Sequence, residues 1–260
     1  MAKVISLSSA KGGVGKSSCT VELASAIRDI TGKKVLVVDL DENCSLSKNV
    51  GADLTTGKTI YEVLKGVCTP DEAVQHNELF DIIVGSKSLS LAAIDFCKRD
   101  DIYLMADLVD IMVNDYHYDY IFIDNAPSRS VLLNMTYVAA DYIIIPTLSD
   151  DSSMDMIEET EDDIAKLVNG RNHESHAQVI GYILNSYKRS TMYDIAMEKL
   201  EAHAANREDE IKPFVAYIKE MIKMSEVKTL HTSVYNLGKS SPISRSFYDI
   251  AQKVLEREEM

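Results

Sequence analysis

Short apolar runs of strand length alternate along this chain with longer segments in which apolar residues recur at helical spacing. The strand-like runs cover residues 4–7, 34–39, 80–85, 120–124, 142–146 and 179–184. The helical segments cover residues 17–30, 102–113, 130–140, 154–168, 191–204 and about 244–258. Runs that are apolar at nearly every position, such as residues 34–39, are typical of strands buried on both faces of a sheet.

This alternation predicts parallel strands that are joined by helical crossovers. We therefore predict an α/β fold, with a mostly parallel twisted sheet and helices on both of its faces. No linker rich in Pro, Gly or Ser interrupts the pattern, so we predict a single domain over residues 1–260. Residues 207–239 are polar and mixed in charge, and they give only weak strand and helix signals.

Composition and charge narrow the classes of protein that fit this pattern. The 260 residues are 46% hydrophobic, which is enough for a packed core and excludes a disordered chain. Acidic residues outnumber basic ones by 41 to 27, and the formal net charge is −14. This surplus argues against a surface coated with basic charge for nucleic acid, but it leaves room for a local basic patch.

Cysteine usage and apolar run length indicate the compartment. Cys19, Cys44, Cys68 and Cys97 are widely spaced and form no C-x-x-C pair, as expected of reduced thiols. No segment reaches the roughly 18 apolar residues of a membrane span, and the first residues are too polar for a secretory signal. We therefore predict a cytoplasmic protein that does not bind a membrane.

The strongest chemical signal is KGGVGKSS at residues 11–18, which follows a predicted strand and begins a predicted helix. Glycines let such a loop turn its N–H groups inward around phosphate oxygens, and the helix N-terminus adds a positive dipole end. Lys16 supplies a cation to the β- and γ-phosphates, and Ser17 supplies a hydroxyl ligand for Mg²⁺. The predicted nucleotide-binding residues of the loop are Gly12, Gly13, Val14, Gly15, Lys16, Ser17 and Ser18.

The same segment is similar to the phosphate loop of one particular ATPase family. A general phosphate loop has Gly where this chain has Ala10, whereas residues 11–18 fit the deviant pattern K-G-G-x-G-K-[ST]. The chain thus resembles the ParA/MinD group of deviant Walker A P-loop ATPases, and ParA-type partition proteins more than MinD. The resemblance implies a P-loop NTPase fold, ATP and Mg²⁺ as cofactors, and a homodimer with ATP. It also implies two catalytic lysines: Lys16 in its own phosphate loop, and Lys11, which reaches the nucleotide phosphates of the partner subunit.

An aspartate segment after the second predicted strand extends this resemblance. VVDLDENCS at residues 37–45 ends that strand, and ligands bind at the strand ends of such sheets. By comparison with the family's D-x-D-P-Q segment, Asp41 positions the attacking water, and Asp39 supports the metal and the dimer region. Glu42 and Asn43 replace the usual Pro-Gln pair, so we expect the loop geometry to differ.

A further segment, YIFIDNAPS at residues 120–128, resembles the family's Walker B strand. Its apolar run ends in Asp124, which is placed to hold Mg²⁺ through a water or through Ser17. Ala126 stands where the family has the first of two prolines, and Pro127 retains the second. At another strand end, Asn185 resembles the family's asparagine that hydrogen-bonds adenine.

The resemblance implies a slow ATPase switch that partitions a plasmid, chromosome or mobile element, with hydrolysis stimulated by a ParB-like adaptor protein. In this family the ATP dimer binds DNA non-specifically through basic residues of the C-terminal half. Residues 179–245 hold ten bases against eight acids, so this C-terminal face is about +2 while the rest of the chain is about −16. So small a surplus predicts weak DNA binding with a steep dependence on salt.

Other interpretations stay open at this stage. The net charge of −14 also fits a ParA-like ATPase that positions a protein cargo without direct DNA binding. The acidic run at residues 150–163 is either an exposed helix face or a docking surface for a basic partner segment. An iron–sulfur reductase needs cysteines near the dimer axis, and Cys97 has no obvious partner there. The chain end carries Glu256, Glu258 and Glu259, which suit an anionic bilayer poorly.

Overall fold

The structure is a computed structural model that describes residues 2–150, 152–170, 172–220 and 223–257, without the side chains of Lys223 and Ser225. Its strands are β1 (Lys3–Leu7), β2 (Val35–Leu40), β3 (Val74–His76), β4 (Asp81–Ile83), β5 (Tyr120–Asn125), β6 (Tyr142–Thr147), β7 (Gln178–Tyr187) and β8 (Phe214–Lys219). Its α-helices are α1 (Lys16–Thr31), α2 (Ser45–Asn49), α3 (Ile60–Leu64), α4 (Pro70–Ala73), α5 (Ala92–Asp95), α6 (Leu104–Asn114), α7 (Val131–Ala139), α8 (Ser153–Val168), α9 (Thr191–Asn206), α10 (Lys223–Thr229), α11 (Val234–Leu237) and α12 (Pro242–Glu256). Two 3₁₀ helices span Lys87–Leu91 and Arg99–Tyr103.

The strands form one sheet in the order β3-β4-β2-β5-β1-β6-β7-β8. Neighbouring strands run parallel except β3 and β4, which pair antiparallel at one edge. The predicted α/β fold with a mostly parallel sheet is confirmed, and a strand lies at each of the six predicted runs.

Helices cover both faces of the sheet, because side chains along each strand point alternately to opposite faces. On β5, Phe122 packs in the hydrophobic cluster of α1 and α12, whereas Ile123 packs in the cluster of α6 and α7. The same alternation places Asp124 on the α1 face and Asn125 on the α7 face.

The parallel order also brings the carboxyl ends of three central strands to one edge of the sheet. In the register of β5, Asp124 lies opposite Leu7 of β1 and opposite Asp39 of β2. The loop from β1 to α1 and the loop after β2 therefore meet at Asp124. Ligands of open α/β sheets bind at this edge.

The structure adds elements that the sequence pattern did not predict. Residues 207–239 contain β8, α10 and α11, and β8 is an edge strand whose Tyr217 and Lys219 are exposed, which obscures its pattern. The edge strand β3 has only three residues. The predicted helix end at Glu258 lies outside the described residues, and the described part of α12 ends at Glu256.

A buried carboxyl group joins α1 to the C-terminal part of the chain. Glu22 of α1 is 1% exposed and accepts a hydrogen bond from the backbone N–H of Val234 at 3.0 Å. Burial raises the pKa of Glu22 to about 8, and the Val234 hydrogen bond opposes this rise. Glu22 is therefore protonated in the folded chain at neutral pH.

Glu22→Gln is expected to remove a pH-dependent loss of stability. The folded chain keeps the Glu22 proton up to about pH 8, whereas an unfolded chain releases it near pH 4.5. The folded state thus binds the extra proton over this interval, so the free energy of unfolding falls as the pH rises through it. Urea denaturation measured near pH 5 and near pH 9 should show the wild type losing at least about 1 kcal/mol more than the variant. Equal losses in both proteins would contradict the assignment.

Candidate nucleotide-binding site

The phosphate-loop segment connects β1 to α1 at this edge of the sheet. Gly13 and Gly15 have φ angles of 75° and 92°, in the left-handed region that other residues adopt only with strain. Gly15 is the N-cap of α1, which begins at Lys16. The first N–H groups of α1 have no partners within the helix, so the loop and the helix dipole together suit an anion.

Asn185 contacts this loop from the end of β7. Its Nδ2 donates to the Val14 carbonyl oxygen at 2.8 Å, and its Oδ1 accepts from the Ser186 N–H at 2.8 Å. The Val14 side chain is fully buried, so only its backbone is available to a ligand. Asn185 thus supports the loop, and its predicted contact with adenine stays a prediction.

Gly15→Ala is expected to damage the loop more than Gly13→Ala does. A Cβ on Gly15 would lie 2.1 Å from Asn185 Nδ2, whereas a Cβ on Gly13 would meet nothing within 4 Å. Both substitutions carry left-handed backbone strain of about 1–2 kcal/mol, but only Gly15→Ala also displaces Asn185. Thermal unfolding and ATP titration of the two variants measure the difference. Equal effects on both readouts would show that the Asn185 contact does not constrain the loop.

Lys16 bridges the two ends of the phosphate loop. Its Nζ donates to the carbonyl oxygens of Ser9 at 3.3 Å and Lys11 at 3.1 Å. Burial lowers the pKa of Lys16, and the negative charges of Asp124 and Asp41 oppose this shift. The ammonium group therefore lies between loop carbonyls and two carboxylates, within the segment that would surround a phosphate.

Asp124 is a buried carboxylate whose oxygens are poorly paired within the described residues. It is fully buried, and neither of its oxygens has a hydrogen bond of good geometry within the described residues. Burial raises the pKa of Asp124 well above its usual range and the charge of Asp39 raises it further, whereas Ser17 and Lys16 lower it. A buried unpaired carboxylate is costly unless a proton or a cation accompanies it. Asp124 therefore has free oxygens that suit a cation.

Ser17 and Asp124 suit a Mg²⁺ ion, which needs few protein ligands, better than a metal ion whose ligands all come from the protein. Mg²⁺ usually binds one or two protein oxygens together with waters and substrate phosphates. Across residues 2–150, 152–170, 172–220 and 223–257, no group of three or more His, Cys, Asp or Glu side chains could hold a metal ion. The donors at hand thus suit a cation that binds together with a nucleotide.

Asp39 and Asp41 differ in their contacts. Asp39 accepts hydrogen bonds from the Ser47 N–H at 2.9 Å, the Ser47 hydroxyl at 2.6 Å and the Asp41 N–H at 3.1 Å. Burial raises the pKa of Asp39 to about 6. These contacts favour a role for Asp39 in fixing the loop after β2, and its predicted support of the metal stays a prediction.

Asp41 lies in the same loop and is 7% exposed. Its Oδ1 accepts from both the backbone N–H and the side-chain amide of Asn43, at 2.9 and 3.0 Å. Asn43, which departs from the family pattern, thus orients the carboxylate and leaves Oδ2 free of this contact. Ser47 and Asn43 had no predicted role, because their contacts depend on how the loop closes.

Lys11 is paired within its own chain. Its Nζ forms an ion pair with Asp150 and donates to the Ser152 hydroxyl at 3.0 Å. The Lys11 hydrogen bond is the main cause that holds the pKa of Asp150 below its usual range. The predicted action of Lys11 on a partner subunit therefore requires this pair to separate.

Half of the predicted site residues border one cleft of about 480 Å³, namely Gly13, Gly15, Lys16, Ser17, Ser18 and Asp41. Several lining residues had no predicted role there, namely Asn43, Ser45, Asn125, Lys48 and Asn49 of α2, and Lys228 of α10. Lys228 is one of the ten bases counted in residues 179–245. The segment around it carries no motif that could have indicated its place in the cleft. The cleft thus includes cations from α2 and α10 as well as Lys16.

The acidic run at residues 150–163 is partly neutralised within the chain. Asp151 of this run and the nearby Arg171 lie outside the described residues. Asp155, Glu158 and Asp162 are exposed and form no ion pair within the described residues. Other acids of the run pair as Asp150 with Lys11, Glu161 with Arg207 and His203, Glu159 with Arg129, and Asp163 with Arg129 and Lys166.

Some bases of the C-terminal face are also paired with acids of the same chain, and others are not. Arg189, Lys219 and Arg245 are exposed and have no ion-pair partner in the part of the chain that the structure describes. The paired bases are Lys188 with Glu220, Arg207 with Glu161 and Asp209, and Lys239 with Asp29. The positive charge available to a nucleic acid is therefore smaller than the sequence count.

Within the described ranges, no helix has the length and apolar character to cross a membrane.

A parallel α/β sheet with a glycine-rich loop, a buried lysine and a buried aspartate at its carboxyl edge defines a P-loop nucleotide-binding protein. A family model described as an AAA domain matches residues 2–176, and the chain belongs to this family. Chromosome partitioning protein ParA of Caulobacter vibrioides is 25% identical over 263 residues, which cover 98% of this chain and 95% of that protein. The predicted resemblance to ParA-type ATPases is thus confirmed.

Solved structures support the same fold. Apo McdA of Cyanothece superposes with a TM-score of 0.85 at 19% identity, covering 98% of this chain and 100% of that chain. A putative plasmid partition protein from Borrelia burgdorferi, bound to AMPPNP, has a TM-score of 0.82 at 21% identity and covers 99% of this chain and 100% of that chain. The P-loop fold extends over nearly the whole chain.

Proposed function

We propose that this chain is a Mg-ATP-dependent ATPase switch of ParA type, which dimerises with ATP and acts in DNA partitioning with a ParB-like partner. The observation that carries the proposal is the buried carboxylate of Asp124, whose oxygens have no hydrogen bond of good geometry in the part of the chain that the structure describes. It lies near Lys16, whose pKa it affects together with Asp41, and Lys16 and Asp41 border the same cleft. A phosphate-binding cation, a water-orienting base and a metal-binding carboxylate are what phosphoryl transfer requires.

Each residue has a distinct part in this proposal. Backbone N–H groups of residues 12–18 bind phosphate oxygens, and Lys16 neutralises the β- and γ-phosphates. Ser17 and Asp124 would hold Mg²⁺, which supplies charge stabilisation at the phosphate oxygens when it is bound. Asp41, oriented by Asn43, accepts a hydrogen bond from the attacking water. Asn185 turns from Val14 toward adenine, and Asp39 keeps the loop after β2 in place.

Lys11 completes the site across the dimer in this proposal. It leaves Asp150 of its own subunit and approaches the phosphates bound by the partner subunit, where its charge acts as an arginine finger does. Separation of an exposed ion pair costs little, on the order of 1 kcal/mol or less, so ATP binding is able to drive it.

Release of phosphate from ATP by the purified wild-type protein tests the catalytic part of the proposal. We expect a slow turnover that requires Mg²⁺ and stops when EDTA is added, because the phosphate charge is then no longer compensated. Release no faster than in protein-free buffer, in a sample that binds Mg-ATP, would overturn it.

The alternative, a ParA-like ATPase that positions a protein cargo without direct DNA binding, is favoured by a specific observation. Lys188, Arg207 and Lys239 are bound to acids of the same chain, which reduces the charge available for DNA phosphates. Co-sedimentation with DNA at low salt, with and without Mg-ATP, separates the two. DNA binding only with Mg-ATP supports partitioning of DNA, and none in either condition supports a protein cargo.

A further inference from the structure

A cluster of buried polar side chains surrounds Asn125, which follows Asp124 in β5 and also borders the cleft. Its members are Asn125 at the end of β5, Ser6 in β1, Ser8 just after β1, and Thr136 in α7. Ser6, Ser8 and Thr136 are 0% exposed and Asn125 is 3% exposed. Buried polar groups are costly unless they are paired, so such a cluster needs a reason.

Asn125 connects the members of this cluster. Its Nδ2 donates to Ser6 Oγ at 2.8 Å and to Ser8 Oγ at 3.2 Å. Its Oδ1 accepts from Thr136 Oγ1 at 2.7 Å. Ser6 Oγ in turn donates to the Ile123 carbonyl oxygen at 2.9 Å, one strand position before Asp124. The cluster therefore fixes the end of β5 to β1 on one side and to α7 on the other.

The hydrogen bonds of the Asn125 side chain require an asparagine at position 125. Both amide hydrogens and the carbonyl oxygen of Asn125 are used, so the side chain must donate twice and accept at least once. Aspartate has the same shape but donates nothing when ionised, and it would add a buried charge beside Asp124. Alanine would leave the three hydroxyl groups without this partner.

The direction of the Asp124 carboxylate depends on its backbone. Its oxygens have no hydrogen bond of good geometry within the described residues, and the nearby Ser17 hydroxyl does not hold them firmly. The backbone at Asp124 is fixed instead by strand pairing with Leu7 and Asp39 and by the Asn125 contacts in the next position. Two residues further on, Pro127 lies 3.8 Å from where a Gly12 Cβ would be, so the same segment also approaches the phosphate loop.

We propose that Asn125 is a positioning residue, which aims the Asp124 carboxylate at the Mg²⁺ site through its hydrogen bonds to Ser6, Ser8 and Thr136. The inference rests on the proposed function, because it assumes that Asp124 serves a nucleotide-bound cation. Groups hydrogen-bonded to metal ligands contribute about 10- to 100-fold to metal affinity, and because Asn125 acts on Asp124 through the backbone we expect an effect at the lower end of this range.

Binding of a fluorescent ATP analogue, titrated with Mg²⁺ at equilibrium, tests this role without relying on turnover. We expect Asn125→Asp and Asn125→Ala to raise the Mg²⁺ concentration for half-maximal binding about 10-fold. Binding of the analogue in EDTA should change less than about 2-fold, because the phosphate loop itself is unaltered. Thr136→Val keeps the shape but removes the hydroxyl that contacts Asn125 Oδ1 and the Leu132 carbonyl oxygen, and it should shift the Mg²⁺ dependence in the same direction by a smaller factor.

Ser25→Ala is the matched control. Ser25 is a buried hydroxyl of α1 that donates to the Val21 carbonyl oxygen at 2.7 Å, outside the cluster. It should lower the melting temperature without moving the Mg²⁺ dependence. A folded Asn125 or Thr136 variant with wild-type Mg²⁺ dependence, or an equal loss of binding in EDTA, would overturn the inference alone. A wild-type protein whose nucleotide binding ignores Mg²⁺ would overturn the proposed function as well.

Discussion

Asp41→Ala is expected to lower ATP turnover at least about 100-fold while Mg-ATP affinity stays within about 3-fold of the wild type. Asp41 is the carboxylate of the cleft whose Oδ2 is free of the Asn43 contact, and it is able to accept a hydrogen bond from water. Its removal takes away a group that acts on the attacking water and leaves the phosphate contacts of residues 12–18 in place. Turnover and nucleotide affinity are measured on the same preparation.

Glu42→Gln is the matched control for this prediction. Glu42 is the next residue in the chain, carries the same charge and is exposed. A general loss of negative charge at this loop would affect both variants alike, whereas a role in orienting water affects Asp41→Ala alone. An Asp41→Ala protein with wild-type turnover shows that the catalytic assignment is wrong.

Lys16→Ala is expected to weaken ATP binding at least about 100-fold, because it removes a charged donor from a partly water-excluded phosphate site. Lys16 is 6% exposed, so its charge is little screened by solvent. The substitution also removes the cation that opposes the carboxylates of Asp124 and Asp41. The fold should therefore lose some stability at neutral pH in the absence of nucleotide.

Lys253→Ala provides the comparison, because Lys253 is an exposed lysine of α12 that does not line the cleft. Calorimetric titration with ATP and thermal unfolding should leave that variant unchanged. Equal ATP affinity in Lys16→Ala and wild type would place the nucleotide elsewhere than at this loop.

The sequence predicted those parts of the site that lie in one continuous segment. Residues 11–18 carry the glycines, the lysine and the serine of the phosphate loop together, and the predicted strand and helix around them are present. Asp41 follows β2 and Asp124 lies near the end of β5, and the apolar runs of both strands are unambiguous, so the position of these residues at the sheet edge could be predicted.

Contacts between distant segments could not be predicted from these patterns. Asn125 and Ser6 are 119 positions apart, and their pairing depends on the strand order β5-β1. Lys228 reaches the cleft from α10, a short helix with exposed polar residues and no periodic pattern. The ion pair of Lys11 with Asp150 could not be predicted either, because it depends on where α8 begins relative to the phosphate loop.

The molar mass of the Asp41→Ala protein in solution, measured by light scattering with and without Mg-ATP, tests the central claim of an ATP-driven switch. Without nucleotide we expect the mass of one chain, 28.9 kDa. With Mg-ATP, which this variant binds but does not consume, we expect twice that mass, and a return to one chain when EDTA is added. A mass that is the same in all three conditions would contradict the account.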